Sequence, residues 1–389
     1  MSTLNSPLAA RPIAGRVEPG FEPVREAFER NFDETVEVGA GLAIFVGDRC
    51  VVDLTGGWLD PDQAQRYGPE HLQLVFSTTK GVTAACLAVL AGRGSLDYDQ
   101  RVSHYWPEFS AAGKGDITVA QLLSHQAGLP TIDAKPTLAE CLDWATISGL
   151  LAQQAPMWNP GTAHGYHALT YGWLAGELLR RIDGRNIGRF VQEELSGPLG
   201  LELWIGLPAE HESRVAPLLA PAPLTAEMQA LVDAMMGPES LGGRALSLNG
   251  AFSGEETIAA STWNRRAVHA AEIPAANGIT NARSLAAMYA NLGRVVPAEV
   301  LQRAATTVST GPDKCLHVET TFGMGFMTHG PFTPMAGPGS FGHAGAGGSL
   351  AFASPQRRLG FGYVMNQMDG NLAGDPRAAN LIEAVLGCL

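Results

Sequence analysis

The chain has 389 residues, 46% of them hydrophobic and 16% charged, with a formal net charge of −12. This length and composition describe a globular protein with a large core, long enough to divide into two lobes. The negative charge argues against nucleic acid and anionic membrane surfaces as partners, and no apolar run approaches the roughly 18 residues of a membrane span, the longest stretch being Ala84 to Ala91.

Met1 to Gly20 carries Arg11 and Arg16 but no apolar stretch, so it reads as an irregular arm and not as a secretory signal. Phe21, Val24, Phe28 and Phe32 share the spacing of a helix face. Gly41 to Val46 and Cys50 to Leu54 are β-rich runs joined by Gly47-Asp48-Arg49, the pattern of a hairpin. Leu72 to Phe76 leads into a helix that begins at Ser77 and stops near Gly92. Helical patterns then dominate: Val119 to Leu123, Leu138 to Leu151, Tyr171 to Ile182, Ile187 to Leu195 and Thr225 to Met236. Asn281 is placed to cap a helix running to Leu292. Strand patterns return at Gly323 to Thr328, Ser349 to Phe352 and Leu359 to Met365, and a helix from Pro376 to Leu386 closes the chain.

Strands therefore come from both ends of the chain, with a helical segment between them. The expected architecture is an α/β (α+β type) fold with a central antiparallel sheet flanked by helices. Residues 1–100 and 271–389 would form the sheet domain and 101–270 a mainly helical domain. Five scattered cysteines, Cys50, Cys86, Cys141, Cys315 and Cys388, fit neither a disulfide framework nor a zinc site. They point to reduced thiols and a cytoplasmic location.

The chain has four lysines, and Lys80 follows Ser77 by three residues, which puts an amine and a hydroxyl on one helix face. Lys114, Lys135 and Lys314 have no serine at that offset. At a helix start the Ser77 N–H is unpaired and lies in positive potential, which supplies half of an oxyanion hole. A buried Lys80 would lose its proton readily. The plain alternative is a helix-capping serine followed by an ordinary lysine.

Two further segments carry chemistry. Tyr166 lies on the loop Pro160-Gly161-Thr162-Ala163-His164-Gly165-Tyr166-His167-Ala168, where a neighbouring lysine would favour its phenolate; otherwise it is a buried aromatic. Phe341-Gly342-His343-Ala344-Gly345-Ala346-Gly347-Gly348-Ser349 is dense enough in glycine for a backbone edge to approach a ligand. It has no Gly-Lys-Ser/Thr ending, so it is not a P-loop. No complete Gly-x-Ser-x-Gly elbow exists; Gly347-Gly348-Ser349-Leu350-Ala351 and Pro338-Gly339-Ser340-Phe341-Gly342 each lack one glycine. His164 and His167 lack a third ligand and read as polar loop residues, and His125 reads as fixing a turn.

Ser77-Thr78-Thr79-Lys80, Tyr166 and the late Gly-rich edge resemble, in order, the three signature elements of serine β-lactamases and penicillin-binding proteins. The likeness is strongest to the class C-like family VIII carboxylesterases and runs from about residue 20 to 385. Leu122 to Leu129, Pro160-Gly161-Thr162 and Asn277-Gly278-Ile279 match in kind. Two departures stand out. Ala168 occupies the place of the asparagine in Tyr-x-Asn, and His343-Ala344-Gly345 replaces Lys-Thr-Gly. Both remove polar contacts that a β-lactam needs and an ester does not.

The resemblance implies a serine carboxylesterase that works through an acyl-Ser77 intermediate on a small-molecule ester. Ser77, Lys80 and Tyr166 are its expected catalytic residues, with either Lys80 or Tyr166 as the base. The N–H groups of Ser77 and Ala346 would form the oxyanion hole, and His343 and Gly345 would contact substrate. No metal and no organic cofactor is implied. A β-lactamase or D-amino-acid amidase activity is the alternative, and a non-catalytic binding protein a further one. Acyl chain length and oligomeric state stay open.

Overall fold

The computed structural model describes residues 12–252 and 260–389. Twelve strands are assigned: β1 (Ile13–Val17), β2 (Gly39–Val46), β3 (Arg49–Gly57), β4 (Gln73–Leu74), β5 (Leu203–Ile205), β6 (Gly278–Thr280), β7 (Ser309–Pro312), β8 (Glu319–Phe322), β9 (Met327–Thr328), β10 (Phe341–Ala344), β11 (Leu350–Ser354) and β12 (Leu359–Met365). Nine form one sheet in the order β1-β3-β2-β12-β11-β10-β9-β8-β7, and every pairing in it is antiparallel. The seam is β2 against β12, which joins Leu42 to Tyr363 and thus the two ends of the chain. This is the expected central sheet assembled from both termini.

Every residue of β12 is buried, because both faces of the sheet are covered. On one face, Gly360 and Gly362 sit under the Ala282–Asn291 helix. A Cβ on either would come within 2.4 Å of a backbone oxygen of Ala286 or Ala282, so only glycine lets helix and strand approach this closely. Asn281 caps that helix as expected, accepting from Ser284 N–H at 2.8 Å. The Glu22–Glu34 and Pro376–Cys388 helices pack together, and Asn31 Nδ2 donates to the Arg377 carbonyl at 3.0 Å.

Several elements differ from expectation. The arm proposed for residues 1–20 contains strand β1, paired with β3 from Ile13↔Gly56 to Val17↔Val52; residues 1–11 lie outside the described residues. Gly15 breaks the strand signal in sequence, but its bare Cα is what lets β1 lie against the Asp53 carbonyl. The single helix expected over Leu138 to Leu151 is two, Leu138–Cys141 and Trp144–Gln153, because Asp143 caps the second by accepting from Thr146 N–H at 2.9 Å. The strand expected over Gly323 to Thr328 is mostly the turn between β8 and β9, with Gly325 at φ +89°. The helical stretch also contains a strand, β5, which joins β4 and β6 in a small second sheet.

Behind β12 lies a buried charged cluster. Glu37 accepts from the Tyr363 hydroxyl and faces Arg377 Nη1 at 3.4 Å. Burial pushes the Glu37 carboxyl up from 4.5 to about 7, against the lowering pull of Arg377. Between these values the folded chain holds a proton that the unfolded chain has released. Stability from this group is therefore present below pH 4.5 and lost as the pH rises through about 7, a change on the order of 3 kcal/mol. Glu37→Gln is expected to flatten the fall of the thermal midpoint between pH 4.5 and 8. An unchanged slope would assign the fall to another group.

Candidate active site

Ser77 precedes the Thr78–Gly92 helix, whose residues are buried from Thr78 to Leu90. The turn into it is strained: Phe76 has φ +42°, a left-handed conformation that costs a side-chain-bearing residue about 1–2 kcal/mol. Thr79 holds the turn in place. Its Oγ1 donates to the Phe76 carbonyl at 2.5 Å and accepts from Gly278 N–H at 2.8 Å. The Phe76 ring meets Trp263 edge-on at 5.3 Å.

Lys80 is fully buried, and its Nζ has three neighbours: Ser77 Oγ at 3.0 Å, the Ala168 carbonyl at 2.6 Å and the Ala275 carbonyl at 3.0 Å. Burial without a paired anion holds this amine well below the usual lysine range. A neutral amine has two N–H groups and one lone pair. The two carbonyls consume the N–H groups, which leaves the lone pair for the Ser77 hydroxyl.

Tyr166 brings its ring centroid to 4.7 Å from Lys80 Nζ. Burial pushes its phenol up, and a hydrogen bond with Ser77 pulls it back. Its loop is held by its own backbone. Gly165 N–H donates to the His125 carbonyl at 3.1 Å, Tyr166 N–H to Asp313 Oδ1 at 3.0 Å, and His167 N–H to His125 Nδ1 at 3.1 Å. Asp313, itself buried, also accepts from Cys315 N–H, Leu316 N–H and Thr320 Oγ1 at 2.8, 3.0 and 3.0 Å. His125 is at φ +63° and does fix a turn, but it also brackets the tyrosine from both sides. The ring nitrogens of His167 are taken by Gly165 O and Leu129 N–H, and Nε2 of His164 by Thr320 Oγ1.

The Gly-rich edge approaches from the sheet. A Cβ on Gly345 would lie 2.3 Å from both Val75 O and Ser349 Oγ, so this glycine is what allows the edge to touch the Ser77 turn. Ser349 Oγ donates to Val75 O at 2.9 Å and accepts from Thr78 Oγ1 at 3.1 Å, tying β11 to the same turn. Gly345, Gly347 and Gly348 N–H groups donate to Ser349 O, Asn371 O and Gly345 O. Among the described residues, the N–H groups of Ala346 and Ser77 have no such partner. His343 is fully buried and donates from Nδ1 to Ala344 O at 2.6 Å, so Nε2 is a bare acceptor, unpaired among the described residues. Burial, with Lys80 nearby, pushes this imidazole down to about 3, and it is neutral.

The structure thus gathers Ser77, Lys80, Tyr166, His343 and the Gly345–Ala346 edge. Sequence reasoning missed Asp313 and the bracketing role of His125, because both lie far from Tyr166 in the chain.

Residues 28–386 match the beta-lactamase family. A curated relative, the esterase/beta-lactamase LipL of Mycobacterium tuberculosis, is 34% identical over 95% of this chain and 86% of its own length. The crystal structure of a family VIII carboxylesterase superposes with a TM-score of 0.87 at 37% identity, covering 97% of this chain and all of that one. A penicillin-binding-protein homologue from Caulobacter crescentus gives 0.87 at 38% identity with the same coverage, and EstA of Arthrobacter nitroguajacolicus 0.82 at 32% over 95% of this chain and 98% of its own. The chain belongs to the beta-lactamase family.

Proposed function

We propose that the protein is a serine carboxylesterase acting on small-molecule esters. The observation that carries this reading is the 3.0 Å contact between Ser77 Oγ and a buried Lys80 whose other neighbours are two carbonyls. Ester hydrolysis in the named relatives, LipL and the family VIII carboxylesterase, supports it.

In this mechanism Lys80 takes the Ser77 proton as Oγ bonds to the ester carbonyl carbon. The Ser77 and Ala346 N–H groups receive the oxyanion. Collapse breaks the C–O bond to the alcohol, which leaves with a proton passed from Lys80 through the Tyr166 hydroxyl. Water then attacks acyl-Ser77, giving up its proton to the same pair and releasing the acid. The environments divide the roles: burial favours the neutral amine at Lys80 and the neutral phenol at Tyr166, so the amine is the base and the phenol the relay. His343 contacts substrate through its unpaired Nε2, and Gly345 through its backbone. No metal or cofactor takes part. The free thiols suit a cytoplasmic protein. The division into a mainly helical lobe of residues 101–270 and a sheet domain of 1–100 and 271–389 belongs to the same reading.

Replacing Ser77 by Ala is expected to abolish p-nitrophenyl ester hydrolysis with the thermal midpoint unchanged, and to prevent labelling by a phosphonate ester in intact-mass analysis. Residual activity within a few-fold of wild type would reject the nucleophile. Lys80→Ala and Tyr166→Phe are each expected to lower kcat roughly a thousand-fold, and the double variant hardly further. Independent, multiplying losses would mean that the two do not share a proton.

The amide-hydrolase reading makes a different demand on one position. Ala168→Asn is expected to raise the ratio of nitrocefin to ester turnover, because Ala168 sits beside Lys80 where an asparagine amide would reach an acylamino group. An unchanged ratio would show that some other departure sets the preference.

A further inference from the structure

Arg377 is fully buried, and all five N–H groups of its guanidinium are used. Nε donates to Asp375 Oδ1 at 3.0 Å and Nη2 to Asp375 Oδ2 at 2.7 Å, a two-pronged grip. Nη1 donates to Gln367 O at 2.9 Å and faces Glu37 Oε1 at 3.4 Å. The second Nη2 hydrogen goes to Gly347 O at 2.5 Å. That carbonyl belongs to the residue directly after Ala346.

The contact is built and not incidental. Gly347 and Gly348 have φ +85° and +131°, and a Cβ on Gly348 would meet both Arg377 Nη2 and Asp375 Oδ2 at 2.5 Å. The guanidinium therefore lies against a backbone that only glycine permits. Asp375 reaches the loop by a second route: its Oδ2 accepts from Asn371 Nδ2 at 3.1 Å, and Asn371 O accepts from Gly347 N–H at 3.0 Å. Asp369 N–H also donates to Gly347 O, at 3.0 Å. Both backbone polar groups of Gly347 are pinned, while the N–H of the preceding residue, Ala346, is left unbonded among the described residues. A buried guanidinium–carboxylate cluster is costly to assemble and is weak evidence for stability as such. Its placement under this loop gives it a different use.

We propose that Arg377 is a positioning residue for the oxyanion hole: by fixing the Gly347 carbonyl it aims the Ala346 N–H at the reacting carbonyl. The proposal rests on the reading of Ala346 as an oxyanion donor. A donor aimed in advance stabilises the transition state more than the bound ester, so loosening it lowers kcat and leaves KM nearly unchanged.

The test compares an oxygen ester with its thionoester, whose sulfur is a poor hydrogen-bond acceptor, on the wild-type chain and on Arg377→Lys. Lysine keeps the charge but brings three N–H groups to the five acceptor atoms that the guanidinium serves. Wild type is expected to favour the oxygen ester by roughly 100-fold or more. Arg377→Lys is expected to lower kcat on the oxygen ester roughly 10- to 100-fold, to leave KM within two-fold, and to narrow the oxygen-to-sulfur ratio in step. A ratio and kcat both at wild-type level in Arg377→Lys would overturn the proposal while the oxyanion reading stands. Equal wild-type rates on the two esters would overturn the oxyanion reading itself. Should Arg377→Lys lose its cooperative thermal transition, Asp375→Asn carries the same comparison: a narrowed ratio supports the positioning role, and a wild-type ratio ends it.

Discussion

A lysine shut away from water is the constraint on which this structure depends. An ammonium group with no anion beside it is expensive to bury, so burial pushes the side chain toward its neutral form. Two carbonyls then orient the amine, and they come from distant segments, Ala168 on the tyrosine loop and Ala275 before β6. The bonds that orient the amine also fasten those segments to the Thr78–Gly92 helix. Enclosing that helix on all sides requires small residues at its contacts. Gly81 is the clearest case, since a Cβ there would lie 2.0 Å from the Tyr289 hydroxyl oxygen.

The two flanks of the site are each stiffened by a buried aspartate, by different means. On the tyrosine side, Asp313 accepts directly from the Tyr166 N–H and from its own following backbone, so one carboxylate joins two loops. On the side of the Ala346 edge, Asp375 acts through Arg377, because the loop offers a carbonyl there and a carboxylate has no proton to donate to it. Both arrangements saturate their hydrogen bonds, which is what makes charge tolerable in a core. Each also fixes backbone and leaves the reacting groups unencumbered. Catalysis by fixed dipoles requires that division, because a donor that reorganises during the reaction loses part of its effect.

The sequence made one part of this legible and concealed the other. Ser77 and Lys80 are three residues apart, so local helix geometry alone brings them together. Long periodic elements such as the Ala282–Asn291 helix and β12 were readable for the same reason. Tyr166 stood out on its Pro-Gly loop as a candidate, and the family resemblance in the order of motifs gave roles to it and to Ala346. Asp313, Arg377 and Glu37 were invisible: each joins segments tens to hundreds of residues apart, and a single buried polar residue leaves no periodic trace. β7 to β9 were missed or misplaced because strands of two to four residues between glycines have too few alternating positions to show a pattern. Here the signal that Gly325 terminates a strand and that Asp143 starts a helix outweighed the hydrophobic run in which each sits.

Position 168 separates two demands on one residue, orientation of the Lys80 amine and, on the proposed reading, choice of substrate. The part of Ala168 that Lys80 uses is the backbone carbonyl, at 2.6 Å, which any residue supplies. The part that an amide substrate would use is a side-chain amide, which alanine lacks. The two demands fall on different atoms of one residue, so specificity can shift while the amine keeps its orientation. His343 follows the same logic. Its backbone continues the pairing of β10 with β11, opposite Ala351, whatever side chain it carries. The imidazole there is neutral, so it offers no cation to a carboxylate-bearing substrate. On the proposed reading, the side chains at 168 and 343 bring no charge to the substrate, and acyl transfer falls to backbone N–H groups and the buried Lys80 amine. An ester is a substrate that such a site has the means to activate.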